Sequence, residues 1–187
     1  MGLLSEGINE VIATTRENAA PIGLIYRNGI FRMHLYKGSH TLRNILDESW
    51  VVANIQNDPV IFAKTAFIDL PPDYFHDENV NGQHMHRLRE TDAWMAFRAI
   101  VEKEAAESVM IRLDPIKEIV IRPTVRPVNR GFNSIIEIAV HGTRFIRNRD
   151  PELEKLILHH ARLVRRCGSP REEEALDLLS GFLKLAL

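Results

Sequence analysis

The chain has 187 residues, with 24 Lys and Arg against 25 Asp and Glu, so its net charge is -1, which disfavours a dedicated nucleic-acid binder. Its one cysteine, Cys167, excludes an internal disulfide and a cysteine-based zinc site. The longest apolar runs, such as 135–140, are too short to span a membrane. Glu6 and Glu10 replace the basic start and long apolar stretch of a secretory signal. We expect a cytoplasmic protein with no membrane or nucleic-acid partner.

The first residues of the chain have the pattern of three antiparallel strands. Residues 8–15 are rich in β-branched side chains, and polar residues 16–19 then end the run. A second run, 22–26, ends before Asn28-Gly29, the dipeptide most typical of a tight hairpin. Residues 30–36 alternate apolar and polar side chains, as a strand with one buried face does. A three-stranded meander is therefore predicted.

The period then changes from that of a strand to that of a helix. Residues 41–48 carry Leu42, Ile45 and Leu46 at helical spacing, which predicts a short helix at a barrel mouth. Residues 50–55 are apolar almost throughout, which indicates a strand buried on both faces. Asp58-Pro59 predicts the start of another short helix, because Asp caps a helix and Pro suits its first position.

The middle of the chain contains its least regular stretch, residues 70–92. Pro71-Pro72, Asn81-Gly82 and three histidines predict a long loop there. Strands are predicted again at 93–101 and 109–113, with a further one at 118–121. Pro123 and Pro127 mark the end of the sheet region.

The last third of the chain is predicted to be helical. Residues 133–145 are apolar on most sides, which is compatible with a buried helix or with a strand. Asp150-Pro151 opens a helix that Gly168 stops, and residues 169–172 form a capping box that starts the last helix. The pattern predicts an antiparallel β-barrel with short helices at its mouth and a C-terminal helical subdomain, divided into residues 1–128 and 129–187.

The segment 35–44 is the most informative one for chemistry. A strand ends, Gly38 turns the chain, and Ser39 and Thr41 stand where a helix begins. The free amides and the dipole of a helix start attract phosphate, and Lys37 and Arg43 can neutralise its charge. The same residues are also ordinary capping chemistry, in which Ser39 or Thr41 is only an N-cap. Spacing alone leaves both readings open.

Several short pieces of the chain, taken in order, point to a known family. They are Gly7-Ile8-Asn9-Glu10, Thr14-Thr15, Ala20-Pro21-Ile22-Gly23, Gly38-Ser39-His40-Thr41-Leu42-Arg43-Asn44, Val52-Ala53-Asn54, Asn129-Arg130-Gly131, and Glu137 with His141-Gly142-Thr143-Arg144. Together they resemble an uncharacterised, mainly archaeal family of flavin-reductase-like FMN-binding split-barrel proteins. The resemblance covers nearly the whole chain, and the order and spacing of the pieces carry it.

The resemblance implies where FMN would bind. Its isoalloxazine ring would lie along Ala20, Pro21, Ile22 and Gly23, where it takes main-chain hydrogen bonds. Its phosphate would be held at the turn formed by Lys37, Gly38, Ser39, His40 and Thr41, with Asn44 one helical turn further on. Thr14, Thr15 and Asn54 are weaker candidates on neighbouring strands. The resemblance also implies a homodimer with FMN at the interface. The paired basic residues of pyridoxamine phosphate oxidases are replaced here by His40-Thr41.

Three functions are compatible with this resemblance. The first is an oxidoreductase of flavin-reductase-like type, with hydride supplied by a nicotinamide or by another carrier such as a deazaflavin. The second is a non-catalytic protein that stores FMN or transfers electrons. The third is a flavin-free binding module on the same barrel. No side chain is predicted to be catalytic, because hydride transfer to a flavin requires no general acid or base from the protein.

The histidines are the remaining candidates for chemistry. His76, His84 and His86 are compatible with a metal site or with a polar surface loop, and no metal is predicted because no third ligand stands at a recognisable spacing. His141 falls in a predicted buried helix and His160 on the apolar face of the next predicted helix, and both are expected to have structural roles.

Overall fold

The computed structural model describes residues 2–187, which fall into two compact units. The barrel unit contains the residues up to Gln56 and Leu70–Thr124, and the helical unit contains Asn57–Asp69 and Val125–Leu187. The sequence-based division at 128/129 differs from this in the segment Asn57–Asp69 and at residues 125–128. That segment belongs with the helices because Val60 and Ala63 are part of their apolar core.

The barrel unit contains a closed antiparallel barrel with strand order β1-β2-β3-β8-β7-β4 and a separate two-stranded sheet, β5-β6. The elements are β1 Gly7–Thr15, β2 Asn18–Arg27, β3 Ile30–Tyr36, α1 His40–Glu48, β4 Trp50–Ile55, β5 Phe75–Val80, β6 Gln83–Leu88, β7 Ala93–Glu104 and β8 Ser108–Val120. The predicted meander is confirmed. β2 begins earlier than predicted because the turn at Arg16, whose φ is 50°, reverses the chain between Thr15 and Asn18.

The predicted long loop at 70–92 is wrong, because most of it forms the β5–β6 hairpin. Its turn is Asn81-Gly82, with φ values of 55° and 86°. Two apolar side chains of this hairpin, Val80 and Met85, pack with Trp50 and Trp94 of the barrel. The buried apolar residues of the hairpin, Phe75, Val80, Met85 and Leu88, are five and three residues apart on their strands, so the sequence lacks the two-residue alternation that predicts a strand.

β8 corrects a second prediction, since one strand replaces the two at 109–113 and 118–121. It continues through Pro115, which lies opposite Phe97 where the β7–β8 register shifts. Such an irregularity accommodates a proline that cannot donate to a regular ladder.

The barrel core lies inside the closed sheet. Leu24, Met33, Met95, Phe97 and Ile111 are fully buried there. The prediction that β4 is buried on both faces is confirmed. Val51 and Ala53 of β4 face the barrel core, whereas Trp50 and Val52 face the β5–β6 hairpin.

The helical unit contains α2 Pro59–Phe67, α3 Arg130–Asn148, α4 Pro151–Cys167 and α5 Pro170–Leu183. Asp58, Asn129, Asp150 and Ser169 cap these helices, and the predicted capping box at Ser169 is present. Residues 133–145 are helical, so the strand alternative is wrong. None of the helices within residues 2–187 is both long and apolar enough to cross a membrane.

Candidate functional site

The turn between β3 and α1 has the local geometry of a helix start. Gly38 has a φ of 86°, a left-handed conformation that favours glycine. Ser39 is the N-cap of α1, and its Oγ accepts a hydrogen bond from the Leu42 amide at 3.3 Å. The capping reading is thus confirmed. Capping uses Ser39 Oγ only as an acceptor, so its hydroxyl proton can still donate to another group.

The same turn combines free amides with exposed cations. The first amides of α1, at His40 and Thr41, have no acceptor within the helix. Lys37 is exposed, with its Nζ 3.5 Å from Glu104 Oε2. Arg43 is exposed one turn into α1 and forms no ion pair with any described residue. Donors and positive charge therefore converge where an anion would meet the helix dipole.

α1 is tied to the β1–β2 turn by two asparagines. Asn18 Nδ2 donates to Thr41 Oγ1 at 3.0 Å. Asn44 Nδ2 donates to the Thr15 carbonyl at 3.1 Å and to Thr15 Oγ1 at 3.2 Å. Thr15 and Thr41 are buried, and their hydroxyl oxygens accept these internal hydrogen bonds. These bonds bring Thr15, Thr41 and Asn44 together with Asn18, which sequence reasoning missed.

Asn18 begins the strand whose next residues form the second part of the candidate site. Ala20 lies two residues further along β2, about 7 Å away. Ala20, Pro21, Ile22 and Gly23 are all half-buried. The hydrogen bond from Asn18 to Thr41 therefore holds this segment and the β3–α1 turn at one end of the barrel.

β2 has an open edge along this segment. It pairs with β1 over nearly its full length, from Asn18 to Tyr26. In the described part of the chain, its ladder with β3 runs only from Arg27↔Ile30 to Leu24↔Met33. Beyond Met33, β3 stays paired with β8 as far as Tyr36. The barrel is therefore split between β2 and β3 at residues 20–23.

The alternation of hydrogen bonds decides which main-chain groups face the split. The two-residue turn Asn28-Gly29 makes Arg27 and Ile30 a hydrogen-bonded pair. Every second residue of β2 then directs its polar groups to the β3 side, which includes Pro21 and Gly23. The carbonyl of Pro21 and the amide of Gly23 consequently point into the split. A side chain at Gly23 would lie 2.9 Å from Ile8 Cγ2, so glycine permits the close approach of β1.

Thr14 and Asn54 are fully buried and hold strands together. Asn54 Nδ2 donates to the Ile12 carbonyl at 2.8 Å and to Thr14 Oγ1 at 3.0 Å, and its Oδ1 accepts from the Leu88 amide at 2.8 Å. Thr14 Oγ1 also donates to the His86 carbonyl at 2.6 Å. These contacts join β1, β4 and β6, so the structure gives both side chains a structural role and the site proposed below omits them.

His76, His84 and His86 belong to the β5–β6 hairpin and do not converge. His84 Nδ1 lies 2.7 Å from Asp77 Oδ2, and His76 Nε2 lies 3.6 Å from Glu78 Oε1. Asp77 pairs with His86 and His76 pairs with Arg87, which places His76 on the opposite face of the hairpin. Within residues 2–187, the one group with metal-ligand geometry is Glu137, His141 and His160, in the helical unit.

Comparison with known proteins gives the chain its relatives. The N-terminal domain model of the protein family of unknown function DUF447 matches residues 9–122, and the second model of that family matches residues 129–181. An uncharacterized protein of Methanocaldococcus jannaschii, MJ1453, is 25% identical over 95% of this chain and 99% of its own length. The FMN-bound protein MM1853 of Methanosarcina mazei is 33% identical, with a TM-score of 0.89 over 95% of each chain. The predicted split-barrel fold is confirmed.

Proposed function

The chain belongs to the DUF447 family, and we propose that it binds FMN in the barrel unit. One observation carries the proposal: the relative from Methanosarcina mazei was crystallised with FMN and shares this fold over 95% of both chains. We place the phosphate at the turn from Lys37 to Thr41 and the isoalloxazine ring along Ala20 to Gly23.

The groups at the β3–α1 turn fit a phosphate. The amides of His40 and Thr41 and the hydroxyl of Ser39 are donors, which phosphate oxygens accept. Lys37 and Arg43 supply positive charge from the exposed surface. Thr15 and Asn44 contribute indirectly, because their hydrogen bonds hold α1 against the β1–β2 turn.

The split beside β2 fits the polar edge of a flat ring. The Pro21 carbonyl can accept one hydrogen bond and the Gly23 amide can donate one, a complementary pair for a ring that carries both donors and acceptors. Ala20 and Ile22 flank these groups with small and apolar side chains that are half-buried. The ring would thus be oriented by main chain and shielded from water on one side.

We propose an oxidoreductase of flavin-reductase-like type as the activity. FMN supplies the hydride and electron chemistry when bound, and the chain's residues bind, orient and shield it. A nicotinamide or a deazaflavin is the proposed electron donor. A cytoplasmic location is proposed with it, because one free cysteine, Cys167, suits a reducing compartment.

A homodimer with FMN at the interface is also proposed, because split barrels of this type are typically dimeric. Light scattering after gel filtration should give the mass of two chains, and a monomer with bound FMN would contradict the proposal.

Replacing Ser39 tests the phosphate assignment. Ser39→Ala removes one donor to the phosphate, so FMN should bind roughly 10- to 100-fold more weakly, because a hydrogen bond to a charged group contributes about 1.5–3 kcal/mol. Riboflavin, which lacks the phosphate, should bind as it does to the parent protein. Fluorescence titration with both flavins measures the two affinities.

Ser169→Ala is the matched control, because Ser169 is also a helix N-cap but starts α5 of the helical unit. Both variants lose a cap that contributes about 1 kcal/mol. Only Ser39→Ala should weaken FMN. Equal weakening of FMN and riboflavin by Ser39→Ala would show that the turn is only a cap.

The alternatives for activity are separated by colour and bleaching. A protein with bound FMN is yellow, and anaerobic NADH, NADPH or a reduced deazaflavin should bleach it if it is a reductase. A yellow protein that none of the three donors bleaches is a storage or electron-transfer protein. Colourless protein whose Tm does not rise with added FMN would overturn the proposal of FMN binding.

A further inference from the structure

The helical unit contains a cluster of three groups with the chemistry of metal ligands. Glu137 and His141 are four residues apart on α3 and therefore share one face of that helix. His160 belongs to α4, the next helix along the chain. One ligand-capable atom from each of the three residues lies within 4.8 Å of the other two. Two imidazoles and one carboxylate thus converge from two packed helices.

The spacing is close to that of ligands around one ion. Two atoms bound to a tetrahedral zinc ion are about 3.4 Å apart, because each bond is about 2.1 Å long. His141 Nε2 lies 3.7 Å from Glu137 Oε2, which is too long for a hydrogen bond. The rings of His141 and His160 have their centroids 6.0 Å apart at an interplanar angle of 34°. Small side-chain rotations would bring all three groups to bonding distance.

The surroundings of the two histidines suit ligation. His160 Nδ1 lies 3.4 Å from the Ser134 hydroxyl. In the tautomer that donates from Nδ1 to Ser134, the Nε2 lone pair is free for a metal. Histidines that bind a metal through one ring nitrogen commonly donate a hydrogen bond from the other. His141 Nδ1 is buried without a hydrogen-bond partner in the described chain, while its Nε2 faces Glu137.

We propose that Glu137, His141 and His160 bind a divalent transition-metal ion of the zinc class. Imidazole nitrogen is a preferred ligand of zinc, copper, nickel and iron, whereas magnesium and calcium prefer oxygen alone. Three protein ligands leave a coordination position for water or a small ligand. The Glu137 side chain is 52% exposed, so an ion reaches the site directly from solvent.

The three residues of this site belong to the helical unit, whereas the residues of the proposed flavin site belong to the barrel unit. The opposing interpretation is a packing contact between α3 and α4, in which Ser134 and Glu137 only satisfy the two rings. A packing contact predicts no saturable metal binding. The two interpretations therefore differ in a direct measurement.

Zinc binding to the full-length protein is the test. Protein stripped with a chelator is titrated with Zn²⁺ by calorimetry, with and without FMN, and retained metal is counted after gel filtration. One Zn²⁺ per chain is expected, together with a higher Tm for the metal-loaded protein. Glu137→Gln, His141→Asn and His160→Asn should each weaken Zn²⁺ by at least about 100-fold, since loss of an outer-shell partner alone costs roughly 10- to 100-fold.

His159→Asn is the matched control, because His159 is exposed, neighbours His160 and is not part of the group. It should change zinc affinity by less than about threefold, given that it supplies no ligand. The helical signal in circular dichroism confirms that each variant is folded. Glu137→Gln changes a half-exposed side chain that is not part of the apolar core, so this variant is expected to fold. The absorption spectrum of the Co²⁺-loaded protein gives the coordination geometry. No stoichiometric binding, or equal binding by the three ligand variants and the parent, would overturn the proposal.

Discussion

The two units of the molecule present their candidate ligand groups by different means. In the barrel unit most of these groups are main-chain amides and carbonyls, at the start of α1 and in the split beside β2. In the helical unit they are three side chains, Glu137, His141 and His160. A main-chain site depends on strand pairing and turns, and it tolerates many side-chain changes. A side-chain site depends on single residues, and it survives changes in the backbone elsewhere.

The two units also differ in what keeps their sites in place. Asn54, Asn18 and Asn44 connect parts of the barrel unit that are distant in sequence. The helices of the second unit begin at their own caps, which are local features. Damage to the barrel unit should therefore affect its site through pairing, whereas the metal ligands should be sensitive to their own replacement.

Removal of the Asn54 side chain, which joins strands of the barrel unit, is expected to have the largest effect on stability. Asn54→Ala leaves the Leu88 amide without its acceptor and removes the side-chain donor to the Ile12 carbonyl and to Thr14 Oγ1, all in buried positions. We expect a loss of about 3 kcal/mol in the free energy of unfolding, because an unsatisfied buried amide costs about 1–3 kcal/mol and each lost hydrogen bond contributes about 1 kcal/mol. Both tryptophans of the chain, Trp50 and Trp94, lie in the barrel unit, so urea unfolding followed by their fluorescence measures it.

Asn133→Ala is the control for this change, because Asn133 is exposed on α3. It should alter stability by less than about 0.5 kcal/mol. Asn54→Ala should also weaken FMN while leaving zinc binding intact. A parent-like urea midpoint for Asn54→Ala would show that the strands do not depend on this side chain.

A close contact between two glycines, Gly131 and Gly168, provides a test of packing in the helical unit. Gly131 approaches Gly168 so closely that a Cβ would lie 2.6 Å from the Gly168 Cα. Gly131→Ala should therefore cost about 2 kcal/mol, as overpacking of a filled site does. Gly181→Ala on α5 meets nothing within 4 Å and should stabilise by about 0.5–1 kcal/mol, because alanine favours helix.

Far-UV circular dichroism during thermal unfolding measures both glycine variants. Gly131→Ala should lower the temperature at which the helical signal is lost. It should leave zinc affinity nearly unchanged in the folded protein, because no ligand is altered. Destabilisation of equal size by both substitutions would refute the packing explanation.

The smallest expected effect is the dependence of the free energy of unfolding on pH. Burial lowers the pKa of His160, with Glu137 acting in the opposite direction and His159 and His141 adding to the decrease. The unfolded chain then binds a proton near pH 6.5 before the folded chain does. The stability that this group contributes is present above that pH and is lost as the pH falls through it. With a chelator present, the parent protein should lose more stability between pH 7.5 and 5.5 than His160→Asn does. Urea midpoints that fall equally with pH in both proteins would contradict the lowered pKa of His160.

Local features of the sequence were sufficient for much of the fold. Asp58-Pro59, Asp150-Pro151 and the Ser169 box identify helix starts because a cap and its amide are only two or three residues apart. Asn28-Gly29 and the alternation of β3 identify the hairpin for the same reason. The β5–β6 hairpin was missed because the partners that bury Met85 lie on other strands.

The sites show the same distinction. The capping role of Ser39 is readable from neighbouring residues, whereas the bond from Asn18 to Thr41 requires two turns of the fold to meet. The split was expected from the resemblance, but the groups that face it follow from strand register. His141 and His160 were each interpreted as structural. Their convergence depends on how α3 packs on α4, which neither helix sequence specifies alone.

Pro21 has a consequence for the behaviour of the protein in concentrated solution. A strand edge with a full row of amides and carbonyls is a template on which another chain can add a strand and begin to aggregate. The split leaves such an edge at residues 20–23, and proline provides no amide there. A strand from another chain therefore finds an incomplete row of donors at this edge. A small molecule that needs only one carbonyl and one amide still finds both. The same proline thus keeps the edge accessible to a ligand and protects the chain against self-association by strand pairing.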